Sequence, residues 1–243
     1  MNHLQFLVRL HRFINRYVIK YTGIDLFAHS IVRSPVEMER MGNENGAWVI
    51  PEHMVNKDSV CYCFGCGEDI SFDLELIERY GCRVYGFDPT PRAITYINKV
   101  TSEIKEYNFS DIGLWNENTT LKFYAPVDKK NVSHSALNLQ KTHDFFEAKV
   151  KRLNTILKDN EHDHIDLLKI DIEGAEYKVI ETIVEDKISI KIFCVEFDEC
   201  FNPLDYNYMQ RIKTAIKSLV ESGYKLAFSS GNGNFTFLSS SIL

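Results

Sequence analysis

No stretch of this sequence approaches the roughly 20 consecutive apolar residues needed to cross a bilayer, and no charged, apolar and small-residue succession marks a cleaved leader. The expectation is a cytoplasmic chain. Net positive charge is missing as well, since 28 Lys and Arg stand against 34 Asp and Glu for a formal charge of −6. Gripping duplex phosphates needs the opposite balance. Nucleic acid is therefore not an expected partner, and a small-molecule or glycan substrate fits better. Also lacking is a second ligand pair for the C-x-x-C at Cys63 and Cys66. A structural zinc site wants another such pair or two histidines at ligand spacing. A thioredoxin-like motif would place its second cysteine inside a helix, whereas a glycine follows here. Cys61, Cys63, Cys66, Cys82, Cys194 and Cys200 all lie in or beside apolar stretches and read as reduced packing thiols.

What is present is enough apolar material, 44% of 243 residues, for one sizeable core. Phe6, Leu7, Leu10, Phe13, Ile14, Tyr17 and Val18 recur at helical spacing, with Arg9, Arg12, Arg16 and Lys20 on the other face. This basic amphipathic segment, residues 4–21 within a 1–45 extension, suits a peripheral membrane contact, a contact between copies of the chain, or packing on the domain of residues 46–243. From Ser59 onward strand and helix patterns alternate: "SVCYCF", "ISFDLELIERYG", "RVYGFD", then "HIDLLKIDI", "GAEYKVIETIVED" and "IKIFCVEFDE". Such alternation predicts an α/β fold with a parallel sheet and helical crossovers. A final pair, "YKLAFSS" and "FTFLSS" around "GNGN", reads as an antiparallel hairpin.

A strand running into "FGCGED" and then a helix brings small residues and backbone amides to a place where a ligand can press against the main chain. A dinucleotide fingerprint needs a third glycine at position 70, which is Ile70. Glu68 and Asp69 would repel a phosphate there, and a cofactor with a positive centre is the better guest. Asp88 stands 21 residues past Gly67 at the next strand end, where a carboxylate can accept both hydroxyls of a ribose. Asp171 and Glu196 end two later strands and should meet at the same carboxyl edge. Of the neighbouring acids, Glu173 suits the start of a helix and Glu176 reads as a solvated helix residue.

"HIDLLKIDIEGAEYKVIE" closely resembles the signature of the FkbM-type methyltransferases, and "GCRVYGFDPTP" with "IGLWNENTTLKFYAP" is similar to a related animal methyltransferase-like family. The resemblance covers about residues 59–238. It implies a Rossmann-like class I methyltransferase fold: a seven-stranded, mostly parallel sheet, last strand antiparallel, helices on both faces. It also implies S-adenosylmethionine as cofactor, with Phe64, Gly65, Cys66 and Gly67 along its methionine and ribose, Asp88 and Pro89 at the ribose, Asp111 and Ile112 at the adenine edge, and Asp171 close by. The activity implied is O-methylation of a glycan or glycosylated metabolite. A hydroxyl is a poor nucleophile, so its proton needs an acceptor. Asp171, Glu196 and Glu173 are the candidates, with His134 on a loop as a further one. A carboxylate acting without metal is the preferred expectation, and a magnesium-like ion on Asp171 and Glu196 is the variant of it. The competing readings are an NAD(P)- or nucleotide-sugar-linked enzyme and an inert nucleoside-binding module.

Overall fold

The computed structural model describes residues 35–231 and 233–243, together with Leu10, Phe13, Ile14, Tyr17, Val18, Tyr21, Thr22, Phe27 and Ala28. The expected amphipathic helix over residues 4–21 falls mostly outside them. Of its apolar face, Leu10, Phe13, Ile14 and Tyr17 are helical and exposed. Among the described residues no helix is long and apolar enough to cross a membrane.

A short antiparallel pair, β1 (Met38–Met41) and β2 (Trp48–Pro51), precedes a βαβαβ run. The run consists of β3 (Val60–Phe64), α1 (Ser71–Tyr80), β4 (Arg83–Phe87), α2 (Pro91–Val100) and β5 (Tyr107–Ser110). Next comes a small three-stranded sheet of β6 (Gly113–Leu114), β7 (Thr119–Tyr124) and β8 (Phe145–Lys151). The second half holds α3 (Leu153–Asp159), β9 (His164–Ile170), α4 (Glu176–Glu185), β10 (Ser189–Glu196), α5 (Tyr208–Glu221), β11 (Tyr224–Ser229) and β12 (Asn234–Ser239).

The main sheet has seven strands in the order β11-β12-β10-β9-β3-β4-β5. β3, β4, β5, β9 and β10 pair in parallel, and β12 runs antiparallel to both of its neighbours. This is the expected sheet with one refinement: β12 is inserted between β10 and β11, so the closing hairpin completes the sheet from within. Strand alternation then explains the cysteines. Along β3 the side chains of Cys61 and Cys63 join the core under α1 and α2, while Tyr62 and Phe64 join the opposite core with Ile180 and Ile183 of α4 and Ile212 and Ile216 of α5. All six cysteines are buried and none forms a disulfide.

Chain order reverses between β3 and β9, since the first half of the chain extends the sheet one way and the second half the other. At such a switch point the connections leave in opposite directions and open a crevice at the carboxyl ends of the strands. Phe64 is paired with Ile170 there, so the loops after both strands face one another.

Candidate active site

The residue after β3, Gly65, has φ +75, and a Cβ built on it would lie 1.6 Å from the carbonyl oxygen of Asp171, the residue after β9. Only glycine permits this approach. The turn that follows is tied down by its own surroundings. The Gly65 amide donates to Phe87 O (3.0 Å), the Gly67 amide to Asp88 Oδ2 (2.8 Å) and the Asp69 amide to Cys66 O (3.4 Å). Helix α1 begins at Ser71, beyond these residues. The expectation that Gly65–Asp69 would offer a helix N-terminus to a ligand is therefore corrected: the helix starts later, and the amides of Gly65, Gly67 and Asp69 are already engaged within the protein. Asp88 itself is buried, with Oδ1 accepting from the Thr90 amide (2.8 Å). Each of its oxygens keeps a further lone pair for a hydroxyl.

The crevice is lined by Phe64, Gly65, Cys66, Gly67, Asp88, Pro89, His134, Asp171, Glu173 and Glu196, so ten of the residues expected at the site come together in one place. Asp111 and Ile112 do not line it; Gly113 and Leu114, the next two residues, do. The two acids of the turn also line the crevice, and each is already paired within the protein. Glu68 is gripped by Arg92 (2.5 Å), and Asp69 accepts from Asn43 Nδ2 (2.8 Å) and the Ser71 amide (3.0 Å). Arg92 also donates to the carbonyls of Lys129 and Lys130. It thereby ties the glycine turn to the irregular loop that carries Val132, Ser133 and His134 across the crevice. His134 Nδ1 lies 2.8 Å from Val132 O, and its ring packs edge-on to Phe146.

The electrostatic character of the crevice comes from its far side. Burial raises the carboxyl of Asp171, and Lys169 partly restores its charge. Burial, reinforced by Asp171, pushes Glu173 up to about 7 and Glu196 up to about 8. Lys169 was not singled out in the sequence, yet it is buried at the wall of the crevice with its Nζ 3.1 Å from Gly65 O and 5.5 Å from the centre of the Trp48 ring. Burial alone would depress its ammonium; Asp171 and Asp73 more than offset this and hold it above the ordinary lysine value. Asp73, fully inside α1, accepts from Tyr107 Oη (2.9 Å), and that hydroxyl is also 3.6 Å from Cys66 Sγ. The thiols of Cys63 and Cys66 are pushed well up by burial, as befits packing groups.

Glu176 is a correction of another kind. It is 0% exposed, not solvated, because its Oε1 folds back to accept the amides of Gly174 (2.9 Å) and Ile172 (3.3 Å). It thus fastens the sharp turn of "IDIEGAE" in which Glu173 has φ +56 and Gly174 φ +100. Burial raises Glu176 to about 8. Glu199, in the short 3-10 turn after β10, is also buried, held by Arg211 and the Leu204 amide, which makes it part of the framework.

The chain is similar to several known proteins. The model of the methyltransferase FkbM domain matches residues 59–224. The probable methyltransferase-like protein 24 of Homo sapiens is 28% identical over 134 residues, which is 55% of this chain and 30% of that protein. Its Rattus norvegicus counterpart is 27% identical over 128 residues, 52% and 29% of the two chains. The matched region thus spans less than a third of the length of these relatives. Among solved structures, Aeropyrum pernix fibrillarin in complex with natively bound S-adenosyl-L-methionine aligns with a TM-score of 0.42 at 11% identity, covering 88% of this chain and 85% of that one. A Methanococcus jannaschii fibrillarin pre-rRNA processing protein aligns with a TM-score of 0.44 at 11% identity over 76% and 68%.

Proposed function

Because this chain belongs to the FkbM methyltransferase family, we propose that it binds S-adenosylmethionine in the crevice between β3 and β9 and methylates a hydroxyl of a glycan or glycosylated metabolite. The observation that carries the cofactor reading is the make-up of the crevice. Its glycine turn carries Glu68 and Asp69 and has the Gly65 and Gly67 amides engaged, its ribose-type acid stands at the end of β4, and its far wall presents Asp171, Glu173 and Glu196. Such a donor set disfavours a pyrophosphate and favours a nucleoside bearing a positive charge. The residues present therefore fit the cofactor, with Asp88 for the ribose hydroxyls and the flat side of the Gly65–Gly67 turn for close main-chain approach. When bound, S-adenosylmethionine supplies an electrophilic methyl group on a sulfonium.

The chain's own contribution is to position and to move a proton. Asp171 and Glu196 end neighbouring strands, paired at Val195 and Ile170 just before their ends, and can take the acceptor's proton as the oxygen becomes a nucleophile. Glu173 faces the same space. The loop of Val132–His134 lines the crevice, and His134 is the alternative acceptor on that side. Composition supports a cytoplasmic setting, with the basic amphipathic N-terminal segment as a contact to a membrane surface or to a second copy.

Two substitutions separate binding from turnover. Asp88→Ala should weaken S-adenosylhomocysteine binding by about 100-fold or more, because the ribose partner and the brace on Gly67 vanish together. Isothermal calorimetry reads this directly. Glu196→Gln should leave that affinity within about threefold and lower kcat by about 100-fold. Equal affinity for NAD or a UDP-sugar would speak instead for the NAD(P)- or nucleotide-sugar-linked reading.

A further inference from the structure

Several acids meet beyond the ends of β9 and β10, and three of them converge on one point. One oxygen each from Asp171, Glu173 and Asp198 lies within 4.8 Å of the others. Oxygens on opposite sides of a hard cation, at about 2.0–2.4 Å from it, stand about 4–5 Å apart, so the spacing suits an ion of that kind. Acidic clusters occur without ions, and the spacing alone would decide nothing. The independent observation is Asp198. It follows β10 in a short 3-10 turn, is 6% exposed, and its Oδ2 has no hydrogen-bond partner among the described residues. A carboxylate oxygen left so inside a protein is costly.

A shared proton offers the simplest competing account. Oε2 of Glu176 is likewise without a partner among the described residues, and one proton between Glu176 and Asp198 would satisfy both. It would leave Asp171 and Glu173 pressed toward the same pair, with Lys169 offsetting Asp171 from the Gly65 side. Glu173 also reaches this position through a strained backbone. Its φ is +56, and the Ser135 hydroxyl donates to its carbonyl at 2.6 Å. Left-handed backbone at a non-glycine residue persists where the surroundings enforce it, and commonly where a ligand uses it.

We propose that Asp171, Glu173 and Asp198 form a binding site for a divalent, oxygen-seeking cation of the magnesium, manganese or calcium kind. This departs from the metal-free expectation and also from the Asp171–Glu196 ligand pair, because Glu196 is left free to accept a proton. The cation's role in catalysis, though not its binding, rests on the methyl-transfer reading: beside the acceptor it would favour the ionised hydroxyl.

The test uses the full chain stripped with EDTA and titrated with Mn2+, the free ion being followed by electron paramagnetic resonance, with Mg2+ as competitor. S-adenosylhomocysteine binding is measured alongside. The expected result is about one Mn2+ per chain, bound at least about tenfold more weakly by Asp198→Asn and by Glu173→Gln. Both variants should keep the wild-type far-ultraviolet circular dichroism and a cooperative melt, which shows them folded, and Asp198→Asn, outside the crevice lining, should also keep its S-adenosylhomocysteine affinity. No Mn2+ binding by the wild type, or equal binding by wild type and both variants, overturns the site in favour of the shared proton. Failure of the wild type to bind S-adenosylhomocysteine while it binds Mn2+ at these residues would overturn the methyltransferase reading and leave the cation site standing.

Discussion

Gly65→Ala is expected to destabilise the fold by at least about 3 kcal/mol and to abolish binding of S-adenosylhomocysteine. Two costs combine. The left-handed φ of +75 strains any residue with a Cβ by about 1–2 kcal/mol. The larger cost is that the new carbon would need the place of Asp171 O, 1.6 Å away, and that atom is main chain at the end of a central strand. Relief requires β3 and β9 to separate, and their pairing at Phe64 and Ile170 is what brings the two site loops together. In thermal denaturation the melting temperature should drop by about 6 °C or more. Gly223→Ala is the natural comparison: it also has positive φ, +97, but a Cβ there meets nothing within 4 Å. Its loss should stay near the conformational cost alone. Similar losses for the two variants would show that the close approach at Gly65 is unimportant.

Lys169→Met should be comparably severe. The ammonium is buried among Asp73, Asp171 and the carbonyl of Gly65, and removing one partner of a buried ion pair typically costs about 3–5 kcal/mol because the other charge remains. The pH dependence gives this variant a signature. Asp73 and Asp171 already have carboxyl values raised by burial and held down in part by Lys169; without it they rise further. An acid whose pKa is higher folded than unfolded binds more protons in the folded state, so stability falls as pH increases from the ordinary aspartate value through the raised one. The deficit against wild type should be smallest in mild acid and largest at neutral pH and above. Urea denaturation across that range measures it. A deficit independent of pH would mean that Lys169 acts through packing on Trp48 and not through charge.

The contrast between these two residues shows how far the amino-acid sequence speaks for the site. Gly65 was legible because a strand, a glycine turn and a helix follow one another locally, and Asp88 because it lies one strand further on. The parallel strands were legible for the same reason: continuous apolar runs such as "VCYCF" and "IFCVE" admit little else. Lys169 was not, since nothing in "LLKID" tells a buried cation from a solvated one until α1 brings Asp73 against it. Asp73 in turn looks like any first-turn acid of an amphipathic helix, and its burial depends on Tyr107, 34 residues away. Glu176 was misread on the same account. At the start of α4 a solvated acid and one folded back onto the preceding turn have identical local sequence. The small sheet of β6, β7 and β8 carries no strong period, being exposed or half-buried along most of β7 and β8. The irregular loop that crosses the crevice is part of the connection between those two strands.

The central claim is that a sulfonium-bearing nucleoside sits over the Gly65–Gly67 turn with its ribose on Asp88 and its reactive end toward Asp171 and Glu196. A crystal structure of the chain grown with saturating S-adenosylhomocysteine tests it most directly. The account predicts ribose hydroxyls within hydrogen-bond distance of Asp88 and the ligand's sulfur on the side of the crevice where Asp171 and Glu196 stand. A ligand bound elsewhere on the chain, or a crevice that holds only solvent under saturating ligand, would contradict it.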